Sequence, residues 1–341
     1  MSDLKLRGVI TAMVTPFLKT GEFNKRGIPI YPIDEHGYEQ LLDFQFHAGI
    51  NGLVIAGTTG EAPQLTHDEK GSLTKTAVAK RHDALLDGTL RKWIPIIVGT
   101  GSSDYVQSIE DTYMAADKGP HGWGANGVLV ANPPYIKWNK RNVIGYFNEH
   151  NKAGIPIVIY NVPSRTAQDM PVEWLGEIAE MENVVGIKEA SPDINKSARI
   201  INEIKYPLAA QGKEFSVLSG NDDMTRQVIA EGGDGIVSVA SNIIPDKMVA
   251  DTWAAFNGKW HTSAPKIKMQ KIYNMTTKAG NPDSIKAMMR TFGLPAGPTR
   301  TPVEFDPAVA REIWLMMQHK GAHYGLGKMI LETKARYYGA Q

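Results

Sequence analysis

The sequence predicts an α/β fold, a (β/α)8 TIM barrel with a C-terminal helical extension, and three observations carry that expectation. Short apolar, β-branched runs recur eight times along the first 240 or so residues. Helix-like segments fill most of the gaps between them, the alternation that parallel strands require. The first run is followed by Thr15-Pro16-Phe17, not by the glycine-rich turn that announces an open, doubly wound sheet.

The eight runs are Gly8 to Thr15, Gly52 to Gly57, Ile94 to Gly99, Ala125 to Ala131, Ile155 to Tyr160, Asn183 to Lys188, Phe215 to Ser219 and Gly235 to Val239. Each is too short and too uniformly apolar for a surface helix and is bounded by Gly, Pro or Asn, as buried strands are. Helical spacing is read over Tyr38–Ala48, Asp68–Lys80, Asp104–Lys118, Arg141–Lys152 and Val172–Glu182. Thr66 with Glu69 has the spacing of a capping box, which starts a helix there. Beyond Pro245 the pattern changes to helices alone, over Met248–Phe256, Lys266–Lys278, Ser284–Thr291 and Ala308–Met317. Gly280-Asn281-Pro282 and Leu294-Pro295-Ala296-Gly297-Pro298 break them. The chain therefore divides into a barrel over 1–244 and a helical extension and tail over 245–341. Loop 21–36 and tail 320–341 receive no role.

Composition limits the function. The 341 residues are 42% hydrophobic and 21% charged, with a formal net charge of +1 and no cysteine. Near neutrality argues against nucleic acid or an anionic membrane as partner. Without cysteine there is no disulfide framework, thiolate nucleophile or Cys-based zinc site. No apolar run approaches the length of a membrane span, and Met1 to Arg7 lack a signal peptide's apolar core. A cytoplasmic location is expected.

In a barrel of this kind the C-terminal strand ends form the active-site mouth. Thr58, Tyr160, Lys188 and Ser219 stand at four such ends and are expected to project into it. A lysine at the end of a buried strand is partly desolvated, which lowers the pKa of such an amine and frees it to attack a carbonyl. A phenol on the adjacent strand is placed to move protons for it. Gly57-Thr58-Thr59-Gly60-Glu61 offers close backbone approach, exposed amides and two hydroxyls, a suitable cradle for a carboxylate. Glu189 falls on the opposite strand face from Lys188 and is not expected to be the base.

Four segments then resemble the dihydrodipicolinate synthase family, within the pyruvate-dependent class I aldolases. They are Gly57-Thr58-Thr59-Gly60-Glu61, Tyr160-Asn161-Val162-Pro163-Ser164-Arg165-Thr166, Gly186-Ile187-Lys188-Glu189-Ala190 and Leu218-Ser219-Gly220-Asn221-Asp222, in family order over roughly residues 7 to 300. The resemblance implies that Lys188 forms a Schiff base with pyruvate, that Tyr160 shuttles protons and that Thr58 hydrogen-bonds Tyr160 in a relay. It implies that Thr59, chiefly through its backbone, and Val237 hold pyruvate. Arg165 and Gly220 belong to the substrate site as well, Arg165 receiving the carboxylate of L-aspartate-4-semialdehyde. No cofactor and no metal are implied, and a homo-oligomer, tetramer or dimer, is expected. Another pyruvate-dependent aldolase or dehydratase acting on a sugar-acid or hydroxy-oxo acid is the alternative.

Two departures accompany the resemblance. The family's second relay tyrosine, after the fourth strand, aligns with Ile136, next to Tyr135. The polar ligands of the family's lysine site align with Ala62, Lys70, Ser103 and Gln107, with His67 kept. An added cation at Lys70 is expected to weaken lysine inhibition. Other signals are set aside: Gly99-Thr100-Gly101 as a dinucleotide turn, Ser72 with Lys75 as a hydrolase pair, His67 with Asp68 and His319 with His323 as metal pairs.

Overall fold

The computed structural model describes residues 4–259, 263–278, 280–300, 315 and 324–337. Eight parallel strands close into a barrel in sequence order: β1 Gly8–Ala12, β2 Gly52–Ile55, β3 Ile96–Gly99, β4 Gly127–Ala131, β5 Ile157–Asn161, β6 Val184–Glu189, β7 Ser216–Ser219 and β8 Gly235–Ser238. Closure is direct, with β1 pairing β8 through Gly8 with Gly235 and Ile10 with Val237. The helices between strands are α1 Glu35–Ala48, α2 His67–Leu86, α3 Tyr105–Ala116, α4 Lys140–Asn151, α5 Pro163–Thr166, α6 Val172–Ala179, α7 Ile194–Ile200, α8 Tyr206–Ala210 and α9 Thr225–Ala230. A π turn over Ile201–Lys205 joins α7 to α8. After the barrel come α10 Pro245–Phe256, α11 Ser263–Thr277, α12 Asp283–Thr291 and α13 Tyr324–Tyr337. Of the expected helix over 308–317 only Leu315 is described, and the pair His319 and His323 lies outside the described residues.

The period-two alternation of each strand divides the core into two layers. Ile10, Ala12, Val54, Ile97, Leu129, Val158, Tyr160, Leu218 and Val237 fill the barrel interior. Val9, Leu53, Ile55, Ile96, Val98, Val128, Val130, Ile159, Ile187, Val217 and Ile236 face outward against the helices. That outer layer makes the strands read as continuous apolar runs instead of alternating ones.

Helix boundaries follow local chemistry. Thr66 and Glu69 form the expected capping box, the Thr66 side chain accepting from the Glu69 amide and the Glu69 carboxylate accepting from the Thr66 amide. Asp34, Asp104 and Asn139 cap α1, α3 and α4, their side chains accepting from the amides of Gly37, Gln107 and Asn142. Gly49 ends α1 with φ 74°, a conformation that favours glycine. Helix α2 runs six residues past its apolar periodicity. There Arg81 supplies the buried face, its guanidinium 5.2 Å from the Trp93 ring and its Nη1 donating 3.0 Å to the Ile94 carbonyl. Most of loop 21–36 lies in a small hairpin, with Phe17 bridged to Ile33 and Phe23 to Pro29, and its last residues open α1.

The helices beyond the barrel grip its mouth. Lys286 of α12 donates from Nζ to Glu61 Oε1 at 2.6 Å and to the Pro298 carbonyl at 2.7 Å, and the Arg300 amide donates to Glu61 Oε2 at 2.9 Å. Arg300 Nη1 donates to Glu69 and to the Gln64 carbonyl, both at 2.8 Å. The turn at the end of β2 is thereby held by a segment more than 200 residues away.

Candidate active site

Register places the chemistry. Tyr160 pairs directly with Lys188 across β5 and β6, and a bulge between Ile157 and Val158 sets that pairing. The bulge takes up Val185, so Gly186 and Lys188 share the inward phase of Val158 and Tyr160. Gly186 is required there because a Cβ would lie 2.5 Å from the Ser216 carbonyl oxygen. Lys188 is 5% exposed, with Nζ 4.1 Å from the centroid of the Tyr160 ring.

Four lysines are buried among the described residues: Lys70, Lys188, Lys196 and Lys286. Three are bound to carboxylates, Lys70 on Asp111, Lys196 on Asp169 and Lys286 on Glu61. Lys188 makes no ion pair among the described residues. Its nitrogen faces an aromatic ring instead, an arrangement that leaves the amine open to a carbonyl carbon.

A cavity of about 230 Å³ opens at the mouth, lined in part by Gly57, Thr58, Tyr160, Val162 and Arg165. Thr58 and Tyr160 share this cavity, though their side chains make no direct hydrogen bond among the described residues. Arg165 reaches the rim from α5, where Pro163 opens a single helical turn after the strand. It is exposed, and its Nη2 donates 2.9 Å to the Asn281 carbonyl. Thr59 is buried beside Thr58, its Oγ1 accepting from Asn281 Nδ2 at 3.0 Å. Val237 is 1% exposed in the same inner cluster as Tyr160.

Two expectations are displaced. Gly220 lines a neighbouring cavity of about 400 Å³ with Ser164, Asn221 and Tyr273, and not the Thr58–Tyr160–Arg165 cavity. Ser164 and Arg165, adjacent in α5, stand between the two. Ser219 does not project into the mouth. It pairs with Glu189 while Leu218 pairs with Lys188, so alternation turns Ser219 outward, and its Oγ donates to the Asn221 carbonyl at 2.8 Å.

Glu189 lies on the face away from Lys188. Its carboxylate accepts from Asn161 Nδ2 at 2.9 and 3.0 Å and from the Ser191 amide at 2.6 Å. Burial raises its pKa, against the pull of Lys196 4.0 Å away. It is a brace between the β5 and β6 ends. Sequence reasoning missed Asn281, which touches both Thr59 and Arg165. The only signal was a Gly-Asn-Pro break between helices, which reads as a turn. No group of three or more His, Cys, Asp or Glu side chains among the described residues is placed to hold a metal ion.

A (β/α)8 barrel whose mouth joins a buried lysine, without an ion pair among the described residues, to a tyrosine on the adjacent strand has the parts of a lyase of the class I aldolase type. The chain matches the model of the dihydrodipicolinate synthetase family over residues 5–308, and it belongs to that family. The match runs across the point at 244 where barrel and extension divide. The 4-hydroxy-tetrahydrodipicolinate synthase of Protochlamydia amoebophila is 34% identical over 302 residues, covering 87% of this chain and 91% of that one. The enzyme of the same name from Methanosarcina mazei is 34% identical over 299 residues, with the same coverage. The crystal structure of dihydrodipicolinate synthase from Thermotoga maritima superposes with a TM-score of 0.76 at 30% identity, covering 98% of this chain and 99% of that one.

Proposed function

We propose that this chain condenses pyruvate with L-aspartate-4-semialdehyde to give 4-hydroxy-tetrahydrodipicolinate, using Lys188 as the Schiff-base nucleophile. The observation that carries this reading is the buried lysine, without a carboxylate partner among the described residues, set against Tyr160. Attack of the Lys188 nitrogen on the pyruvate carbonyl forms a carbinolamine, and loss of water leaves an iminium. Tyr160 carries the protons of these steps, with Thr58 in the same cavity to pass them on. The iminium accepts the electron pair as Tyr160 takes a proton from the methyl carbon, and the resulting enamine forms a carbon–carbon bond to the aldehyde. The amino group of the acceptor then displaces Lys188, closing the ring and freeing the enzyme. No separate cofactor takes part, because the iminium supplies the polarisation.

The carboxylates are received by the Thr58–Thr59 turn for pyruvate and by Arg165 for the acceptor. Arg165 favours an acceptor carrying a carboxylate at a fixed distance from its aldehyde. Val237 packs the floor under pyruvate, and Gly220 borders the adjoining cavity toward which a longer acceptor extends. One observation favours the second reading, a sugar-acid or hydroxy-oxo acid acceptor: Ile136 stands where the family's relay tyrosine is expected, and neighbouring Tyr135 is 91% exposed. We read the working form as a homo-oligomer. Tyr105 and Val106 at the start of α3, with Tyr135 and Ile136 on the loop after β4, are all exposed, an apolar rim suited to a second copy. Among the described residues no helix is long and apolar enough to cross a membrane.

A panel of aldehydes with pyruvate, followed by product mass, tests the acceptor. Turnover confined to L-aspartate-4-semialdehyde is the expected result. Turnover only with sugar-derived or hydroxy-oxo acids overturns it.

A further inference from the structure

We propose that Asn281, in the turn before α12, is a positioning residue that sets both carboxylate-receiving groups of the mouth, Thr59 with its side chain and Arg165 with its main chain. The inference rests on the reading of Thr59 and Arg165 given above and assigns a role to a residue of the C-terminal extension.

The geometry has two arms. Asn281 Nδ2 donates 3.0 Å to Thr59 Oγ1, and the Asn281 carbonyl accepts from Arg165 Nη2 at 2.9 Å. An amide NH2 group donates only, so the Thr59 hydroxyl is the acceptor in this pair. The proton of that hydroxyl is left to donate elsewhere. A carboxylate in the mouth is purely an acceptor, so it is met by a Thr59 hydroxyl of the right polarity. Without Asn281 the hydroxyl is free to rotate toward any nearby carbonyl and lose that orientation. The main-chain arm is independent of the side chain. It holds one edge of the guanidinium and leaves the remaining donors to the acceptor's carboxylate.

A second observation points the same way. Asn281 Oδ1 is buried without a hydrogen-bond partner among the described residues. A half-satisfied buried amide is unfavourable and is rarely retained for packing alone. Its other half serves the Thr59 hydroxyl. Asn281 is also anchored firmly: α12 follows at once, and Lys286 fixes that helix to Glu61, two residues from Thr59. The extension therefore joins the two sides of the mouth through one residue.

The two arms make different predictions, which separates positioning from general support of the fold. Asn281→Asp replaces the donor by an acceptor, turns the Thr59 proton away from the mouth and adds a negative charge. The pyruvate KM should rise about tenfold or more, as loss of a charge-assisted hydrogen bond does. Asn281→Ala should raise it by a smaller factor. Because Arg165 is held by the main chain, the Asn281→Ala variant should keep its aldehyde KM within about twofold, and Thr59→Val combined with Asn281→Ala should be no worse than Thr59→Val alone. Thermal midpoints confirm folding, and the Asn281→Ala arm and the cycle decide the matter if Asn281→Asp does not fold. A wild-type pyruvate KM in Asn281→Asp overturns the inference, as does a parallel rise of both KM values in Asn281→Ala or additivity with Thr59→Val. Borohydride trapping separates the levels. No pyruvate adduct on the wild-type chain defeats the functional reading and this inference together, whereas an adduct whose pyruvate dependence is unmoved in Asn281→Asp defeats this inference alone.

Discussion

Replacing Lys286 by methionine should destabilise the chain severely and disarm the mouth at a distance. Lys286 and Glu61 are 2% and 3% exposed, joined at 2.6 Å. The ammonium also donates to the Pro298 carbonyl and stands 4.4 Å from the Phe17 ring centroid. Burial pulls the Lys286 pKa down to about 8, with Glu61 opposing that shift. Glu61 itself sits in a left-handed conformation, φ 59°, at the end of the Gly57–Glu61 turn. Lys286→Met removes one charge and leaves a buried carboxylate with the Arg300 amide as its remaining partner among the described residues. Breaking one side of a buried ion pair costs about 3–5 kcal/mol. At about 2.1 cal/mol/K per residue over a chain of this length, that corresponds to a fall of roughly 4–7 °C in Tm. Removing both charges leaves no orphan, so Glu61→Met with Lys286→Met should recover most of the loss. Unfolding followed by circular dichroism at pH 7 measures all three chains. A Lys286→Met variant within about 1 kcal/mol of wild type, or a double variant as unstable as the single, refutes the reasoning.

Further expectations follow from single contacts. His150 is buried, with Nδ1 2.7 Å from Thr112 Oγ1, and desolvation holds its pKa down to about 3. The folded chain therefore binds fewer protons than the unfolded one between about pH 3 and 6.5, so stability is lost as pH falls through that window. His150→Gln should show a shallower acid limb in urea unfolding across that range, and an unchanged limb counts against it. Lys70 Nζ lies 2.7 Å from Asp111 Oδ2, with His67 and Gln107 on the other carboxylate oxygen at 2.7 and 2.9 Å. With its own ammonium already in place, the cluster should repel a free lysine. A lysine dose series should show weak inhibition or none, and strong inhibition contradicts that. Arg165→Ala should raise the aldehyde KM by about one to two orders of magnitude while pyruvate trapping is kept. Loss of trapping in that variant would show Arg165 acting on pyruvate instead.

Much of this architecture was legible because it is carried by short-range pattern. Eight apolar runs followed the outer layer of the barrel, and the Thr66–Glu69 capping box marked the start of α2 to the residue. Lys188 beside Tyr160 was readable because both close apolar runs that form adjacent strands. Ser219 was misplaced because strand phase decides which side chain faces the mouth, and a tetrapeptide strand does not reveal its own phase. Gly220 lines the cavity beside that of Tyr160 and Arg165, and the sequence does not show that the two are separate. Asn281, Lys286 and Arg300 were missed as partners of the mouth for one reason. Each acts across more than 200 residues of chain, through contacts that only packing of the extension creates. Helix α2 was read short because the stem of Arg81 does the work of an apolar residue, and no hydrophobic period registers that.

The central claim is that Lys188 is the nucleophile. The most direct measurement is incubation with pyruvate and borohydride, followed by digestion and mass mapping of the wild-type chain and of Lys188→Arg. A reduced pyruvyl group on the peptide carrying Lys188, absent from the variant, is the expected result. An adduct on Lys70, Lys196 or Lys286, or none on any lysine, would contradict it.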